Sequence, residues 1–209
     1  IKNKEFFFSK FFDLNDPMEG IFLSSNQDVI DKLIEYKKHY LICSFSHSQN
    51  LTEPLLWCHY ANGFRGIAIE ISVECEPYNS NKYHLGNGDY INKIRYYKKD
   101  DFHKIKENLN AEKVITRKLD TWDYEGEYRY IKKGKEKGSY TTKNTTISKV
   151  YFGEPYNVSN KEDIIEASDK LKEYYRFRDD LKKFCDHEKI PTCNAYYDAF
   201  ELRIKFNET

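Results

Sequence analysis

Charged side chains recur at every second position in one short stretch of the chain, Trp122–Tyr130. Successive side chains of a β-strand point to opposite faces, so a strand here would place Glu125, Glu127 and Arg129 on one face. The tyrosines between them would lie on the other face and pack against a core. Two carboxylates and a guanidinium on one face either surround a small ligand or form a solvated surface with cross-strand ion pairs.

Composition fits one folded domain and excludes several classes of partner. The 209 residues suffice for a single domain over 1–209. The 34 Lys and Arg residues balance the 34 Asp and Glu residues, so net charge predicts neither a nucleic-acid nor a membrane partner. No run of about 18 apolar residues exists, which excludes a membrane-spanning helix. With no visible signal peptide and five scattered cysteines, we expect a cytoplasmic protein without disulfides.

Hydrophobic periodicity predicts a mixture of strands and helices without regular βαβ alternation, which is typical of an α+β domain. Strands are predicted at residues 6–12, 40–46, 66–73, 91–97, 122–131, 147–152 and 200–206. Helices are predicted at residues 25–38, 53–62, 100–119 and 159–187, with a loop at 76–89 and a hairpin or loop at 132–146. The chain begins with Ile1 and not Met. We therefore expect the natural chain to start upstream, with a first strand missing here.

Other residue types that carry chemistry give weak signals. Cys43, Cys58 and His59 lack the spacing of a metal site, and we predict no metal. Cys43 and Cys58 lie in apolar contexts and are predicted to be buried and inert. Ser46 ends a strand, but no G-x-S-x-G elbow surrounds it. Gly63 follows a helix instead of preceding one, so no phosphate-binding loop is predicted.

Five segments occur in an order that resembles one known family. They are Asn15–Glu19, Cys43–Ser46, Trp57–Ala61 followed by Gly66, Trp122–Arg129 and Tyr151–Gly153. Together they are similar to the bacterial domain of unknown function 2971, over roughly residues 6–155. The resemblance implies that the polar residues of these segments share a site, with Asn15 and Asp16 beside Glu125–Arg129. It supplies no particular reaction.

The layout further resembles that of ADP-ribosyltransferases. In that superfamily a first strand carries Arg or His, a second strand ends in Ser, and a late strand carries E-x-E or Q-x-E. Ser46 matches the serine and Glu125-Gly-Glu127 matches the late motif, whereas the first-strand residue is absent from this chain. The resemblance implies a single α+β domain with a mixed split sheet and flanking helices.

This second resemblance also implies an activity. The enzyme would transfer ADP-ribose from NAD, its substrate, to a macromolecular acceptor, either protein or nucleic acid, and toxin or phage-defence biology would fit it. Glu127 would stabilise the oxocarbenium charge that develops on the ribose, and Glu125 would orient or deprotonate the acceptor. The other residues predicted to bind NAD are Ser46, His59, Tyr60, Arg129, Asn15 and Asp16.

Two further hypotheses stay open at the level of sequence. Glu19, Glu125 and Glu127 could surround a divalent cation in a nucleic-acid-processing effector. Alternatively, the charged strand face and the mildly basic middle of the chain, residues 88–143, could recognise a partner without catalysis. A pocket would favour the transferase, a carboxylate cluster that binds Mg²⁺ would favour the effector, and a flat surface would favour the binding module. The sequence predicts no oligomeric state.

Overall fold

The computed structural model describes residues 5–14, 26–102, 111–142, 145–155, 161–166 and 168–208. These residues form a mixed α+β fold, as predicted. The chain divides into two compact units, Ile1–His47 with Glu74–Asn144 and Ser48–Val73 with Thr145–Thr209. The prediction of one domain over residues 1–209 stays a prediction.

The bounds of the strands and helices are as follows. The strands are β1 (Glu5–Lys10), β2 (Tyr40–Ser46), β3 (Ile67–Val73), β4 (Glu76–Asn79), β5 (Lys82–Gly86), β6 (Asp89–Lys93), β7 (Arg95–Tyr97), β8 (Arg117–Leu119), β9 (Glu127–Lys133), β10 (Gly138–Thr141), β11 (Thr145–Glu154), β12 (Thr192–Asp198) and β13 (Arg203–Glu208). The α-helices are α1 (Gln27–Lys38), α2 (Pro54–Tyr60), α3 (Lys99–Phe102), α4 (Ala111–Ile115), α5 (Lys161–Glu166) and α6 (Asp169–Glu188). Short 3₁₀ helices cover Phe11–Asp13, Ser48–Thr52 and Asp120–Glu125. Among the described residues, no helix is long and apolar enough to cross a membrane.

The first unit is built on a seven-stranded sheet in the order β10-β1-β2-β9-β6-β5-β4, in which each neighbouring pair is antiparallel. On one sheet face Ile131 of β9 lies opposite Ile42 of β2 and Tyr90 of β6. These three side chains form a buried core with Phe11 and Ile115. Because side chains alternate along a strand, this face of β9 also carries positions 127 and 129.

The second unit contains a four-stranded sheet in the order β13-β12-β11-β3. β11 and β12 are parallel, and a parallel pair requires a crossover, which α5 and α6 supply. Leu171, Tyr174 and Cys185 are the buried residues of α6. Cys185 packs against Val150 and Phe152 of β11 in one core cluster, so the helix covers the parallel pair.

The predicted strand over Trp122–Tyr130 is wrong in its first half. Residues Asp120–Glu125 form a 3₁₀ helix, and β9 starts only at Glu127. Gly126 separates the two elements with φ of 49° and ψ of 45°, a left-handed conformation that glycine adopts without steric cost. From Glu127 onward the predicted alternation is confirmed, because β9 is a regular strand.

Two other predictions in the first unit need correction. The loop predicted at residues 76–89 contains the antiparallel pair β4 and β5, which forms the edge of the large sheet. The helix predicted at residues 100–119 ends before its last turn, because Arg117–Leu119 pairs with β7 as a parallel strand. Residues 103–110 of that prediction lie outside the described residues.

The C-terminal third departs from the prediction at two points. The helix predicted at 159–187 is two helices, since Ser168 begins α6 by accepting a hydrogen bond from the backbone N–H of Leu171. The last strand starts at Arg203, after a turn in which Phe200 is 98% exposed and Leu202 has a φ of 51°. By contrast, the strands predicted at 40–46 and 66–73 are confirmed to within a residue.

Candidate functional site

Glu127 and Arg129 lie on the same face of β9, at one end of the sheet face that carries the core of the first unit. β2 runs antiparallel beside them, with Ser46 opposite Glu127 and Ser44 opposite Arg129. Directly opposed residues of an antiparallel pair present their side chains on the same face. The register therefore brings two serines of β2 beside the acidic and basic residues of β9.

Arg129 holds the Glu127 carboxylate with two parallel hydrogen bonds. Its Nε donates to Oε1 of Glu127 at 2.8 Å, and its Nη2 donates to Oε2 at 3.1 Å. A third guanidinium nitrogen, Nη1, donates to the backbone oxygen of Ile115 at 2.6 Å. Arg129 is 0% exposed. Such a two-point pair fixes the orientation of the carboxylate as well as its charge.

Lys118 links the second carboxylate to the first. Its Nζ lies 2.7 Å from Oε2 of Glu125 and 3.0 Å from Oε2 of Glu127. The ammonium also lies 5.3 Å from the ring centre of Trp122, within the range of a cation–π interaction. Glu125 reaches this position from the 3₁₀ helix, after which Gly126 turns the chain into β9. We call Lys118, Glu125, Glu127 and Arg129 the charge cluster; its two cations and two anions balance.

Ser44 is an exposed residue that contacts this buried cluster. Its Oγ donates to Oε1 of Glu127 at 2.6 Å, although Glu127 itself is only 3% exposed and Ser44 is exposed. The backbone N–H of Glu127 donates to the hydroxyl oxygen of Tyr96 at 2.8 Å. Ser44 therefore lies between Glu127 and solvent.

The environment of Glu127 keeps its carboxylate ionised. Burial alone raises the pKa, but the charge and hydrogen bonds of Arg129, with help from Lys118 and Ser44, lower it to about 2. A general base works best when its pKa lies near the working pH. A carboxylate with a pKa of about 2 is ionised at neutral pH and is therefore poorly suited to act as a general base.

The structure brings together part of the predicted site. Ser46, Glu125, Glu127 and Arg129 all belong to the first unit, and Glu125 and Glu127 share Lys118 as a partner. Ser46 is exposed and lies opposite Glu127 in the strand register. The remaining residues predicted for this unit, Asn15, Asp16 and Glu19, lie outside the described residues, so their place in the site stays a prediction.

His59 and Tyr60 belong to the second unit, at the end of α2. Both side chains are exposed, and the centres of their rings lie 6.4 Å apart in an edge-to-face arrangement. On the same helix Trp57 packs inward. It is 2% exposed, stacks on Phe64 with 5.1 Å between the ring centres, and donates from Nε1 to the backbone oxygen of Leu51 at 2.7 Å. His59 is therefore not the fully buried histidine that a purely structural role would require, and its predicted contact with NAD stays a prediction.

The cysteines divide into inert and exposed groups. Cys43 is partly and not fully buried, but desolvation still raises the pKa of its thiol to about 12, so the thiol is protonated at neutral pH and is a poor nucleophile. Cys58 is exposed, which corrects its predicted burial. Within the described ranges, no group of three or more His, Cys, Asp or Glu side chains could hold a metal ion.

A groove of about 560 Å³ lies elsewhere in the first unit. Its lining residues are Tyr36, His39, Tyr40, Lys133, Gly134 and Lys135. Of the predicted site residues that the structure describes, none is among the residues that line this groove.

The sequence pattern does not predict two residues whose side chains contact the carboxylate of Glu127, Lys118 and Ser44. The sequence predicts Lys118 within a helix, whereas it lies on β8, from which its ammonium reaches Glu125 and Glu127. Ser44 lies two residues before Ser46 on the same strand face, and the strand register that places it beside Glu127 is a tertiary property. The available signal for Ser44 was strand alternation, which places the two serines on one face.

Comparison with known proteins confirms the first of the two resemblances. Residues 56–130 match the model of a family described as "Protein of unknown function (DUF2971)". This segment is about a third of the chain and includes the Trp57–Ala61 motif and the charge cluster. No curated protein and no solved structure matches the chain.

Proposed function

We propose that this chain, which matches the family of unknown function 2971 over residues 56–130, is an ADP-ribosyltransferase-like enzyme. It would transfer ADP-ribose from NAD to a macromolecular acceptor. The observation that carries the proposal is the Glu127 carboxylate, which is held ionised on β9 and bonded on its solvent side to Ser44 of β2. The resemblance assigns its serine to Ser46 and its late glutamate to Glu127, and these two residues lie opposite each other in the pairing of β2 with β9.

The chemistry of the reaction makes a fixed carboxylate useful. In the transfer, the bond between nicotinamide and ribose breaks, and nicotinamide leaves with the bonding electron pair. The anomeric carbon then develops oxocarbenium charge before a nucleophile of the acceptor bonds to it and loses a proton. A preorganised carboxylate stabilises that charge without reorganising during the reaction. Glu127, with its orientation fixed by Arg129, meets this requirement.

Glu125 takes a supporting role in this proposal. It is 3% exposed and is bonded to Lys118 at 2.7 Å, so its carboxylate balances the ammonium that also contacts Glu127. The role in acceptor activation that the resemblance assigns to Glu125 requires Lys118 to move away from it. Neutralising Glu125 therefore tests both roles, since loss of transfer with retained NAD hydrolysis would support acceptor activation.

The same geometry argues against the metal-dependent hypothesis. A divalent cation would need oxygens of Glu125 and Glu127 as ligands. Lys118 and Arg129 already place positive charge on both oxygens of Glu127 and on Oε2 of Glu125, at distances of 2.7–3.1 Å. Replacing them with a metal would leave two cationic side chains buried without counter-charge, which costs several kcal/mol per ion.

The test is NAD turnover by the full-length protein and by its Glu127→Gln variant. Labelled NAD is incubated with candidate protein, DNA and RNA acceptors, and both free nicotinamide and labelled acceptor are measured. Glutamine keeps the shape of the side chain and removes its charge, so we expect turnover to fall by about 100-fold or more, or about 3 kcal/mol of transition-state stabilisation.

Glu154→Gln is the matched control. Glu154 is also a buried glutamate bound by an arginine, with Nη1 of Arg178 at 2.7 Å, but it belongs to the second unit. It should disturb folding to a similar degree and keep NAD turnover. Absence of NAD turnover by the wild type, or equal turnover by Glu127→Gln, would overturn the transferase proposal. Mg²⁺-dependent cleavage of nucleic acid would favour the effector instead.

A further inference from the structure

The Glu127 carboxylate has no acceptor site to spare for a substrate. Two carboxylate oxygens offer about four positions for hydrogen-bond donors. In this chain Oε1 accepts from Ser44 and from Nε of Arg129. Oε2 accepts from Nη2 of Arg129 and lies 3.0 Å from Nζ of Lys118. A ligand hydroxyl that bonds to Glu127 must therefore replace one of these donors.

Arg129 is a poor candidate for replacement. Its guanidinium is 0% exposed and donates to Ile115 as well as to both oxygens of Glu127. A ligand that displaced it would leave a buried charge without a partner, which is strongly unfavourable.

Lys118 is excluded by the same reasoning. Its side chain is 5% exposed, and its ammonium contributes positive charge to two buried carboxylates. A neutral hydroxyl at its position would satisfy the hydrogen bond to Glu127 and would not replace the charge.

Ser44 differs from both in charge and in exposure. It is a neutral hydroxyl, it lies on the exposed side of Glu127, and a ligand hydroxyl would replace it like for like. We infer that Ser44 occupies the position of a sugar hydroxyl and gives up its bond to Oε1 of Glu127 when that ligand binds. This inference rests on the proposed function, in which the sugar is the nicotinamide ribose of NAD.

Removal of the Ser44 hydroxyl should have opposite effects on ligand binding, depending on whether Ser44 competes with the ligand or orients Glu127. If Ser44 competes with the ligand hydroxyl for Oε1, removing the Ser44 hydroxyl strengthens ligand binding. If Ser44 instead orients Glu127, removing it weakens binding or slows turnover. Whether ligand affinity rises or falls when the Ser44 hydroxyl is removed therefore distinguishes competition from orientation.

The experiment measures dissociation constants by calorimetry for the full-length wild type, Ser44→Ala and Ser139→Ala. Ser139 is an exposed strand serine on β10 of the same unit, and its variant is the control. The probe is carba-NAD, in which a methylene group replaces the oxygen of the nicotinamide ribose ring so that nicotinamide is not released. A second probe is the same molecule without the two hydroxyls of that ring.

We expect Ser44→Ala to bind carba-NAD about tenfold more tightly than the wild type, a difference of about 1.4 kcal/mol. Ser139→Ala should bind as the wild type does, and the probe without hydroxyls should gain nothing from Ser44→Ala. A general change in folding would affect both probes alike, so the gain restricted to the hydroxylated probe identifies the exchange.

Two outcomes would contradict the inference, and they differ. Unchanged or weaker binding of carba-NAD by Ser44→Ala, with clear binding by the wild type, overturns the exchange and leaves the proposed function standing. Failure of all three proteins to bind carba-NAD overturns the proposed function together with the exchange.

Discussion

Lys118 and Glu125 form a buried ion pair whose cation is shared with a second carboxylate. Nζ of Lys118 lies 2.7 Å from Oε2 of Glu125, and the two side chains are 5% and 4% exposed. The same Nζ lies 3.0 Å from Oε2 of Glu127. Because both carboxylates are removed from water, this cation and Arg129 supply the positive charge that balances them.

Lys118→Met should therefore destabilise the first unit strongly. The substitution leaves Glu125 buried without the ammonium and removes one of two cations near Glu127. Removing one partner of a buried pair costs about 3–5 kcal/mol, so we expect a loss of that order in the free energy of unfolding, measured by urea denaturation.

Two variants control for this prediction. Lys38→Met removes an exposed lysine that pairs with Glu35 at 3.2 Å, and such pairs contribute about 0–1 kcal/mol. The double variant Lys118→Met/Glu125→Gln keeps the pair between Glu127 and Arg129, and it should be more stable than Lys118→Met alone. Equal losses for Lys118→Met and Lys38→Met would contradict the burial argument.

Protonation of Glu127 should make the protein less stable in acid. The pKa of Glu127 is about 2 in the folded state against an ordinary value of 4.5. Between these values the unfolded state binds more protons, so this contribution is complete above pH of about 4.5 and is lost as pH falls through about 2. The shift corresponds to roughly 3 kcal/mol.

Urea denaturation at a series of pH values between 5 and 2 measures this contribution. Glu127→Gln cannot titrate at this position, so its stability should fall less steeply over the same range, although its stability at pH 5 is lower. Ser44→Ala removes a neutral donor and keeps Arg129 and Lys118 in place, so it should retain most of the steep fall. If the free energy of unfolding fell equally steeply with pH in the wild type and in Glu127→Gln, the low pKa of Glu127 would be contradicted.

The sequence was sufficient to predict the residues that share the β9 face. Alternation along a strand is a local rule, and it correctly placed Glu127 and Arg129 on one face from the sequence pattern alone. The same rule failed at Glu125, because Gly126 permits a left-handed turn that ends the 3₁₀ helix. The Glu-Gly-Glu sequence carried that signal, since glycine within a strand pattern often marks a break.

Lys118 was beyond reach of the same reasoning for a different reason. Residues 117–119 are too few to show a strand period, and they form β8 only because β7 lies beside them. Tertiary pairing of this kind overrides local preference. The match of Ser44 to Glu127 likewise depends on the pairing of β2 with β9, which joins residues 83 positions apart.

Gly153 tests the packing of the second unit, because a side chain there would meet backbone. A Cβ atom at Gly153 would lie 2.2 Å from the backbone oxygen of Phe64. The backbone N–H of Gly153 donates to the backbone oxygen of Gly66 at 2.9 Å, which holds β11 close to this loop. Gly153→Ala must therefore move β11 away from this loop, and overpacking of this kind costs about 1–3 kcal/mol. Gly138→Ala is the control, since nothing lies within 4 Å of its Cβ position. Thermal denaturation should show a lower Tm for Gly153→Ala alone, and equal Tm values would mean that the close approach is absent in solution.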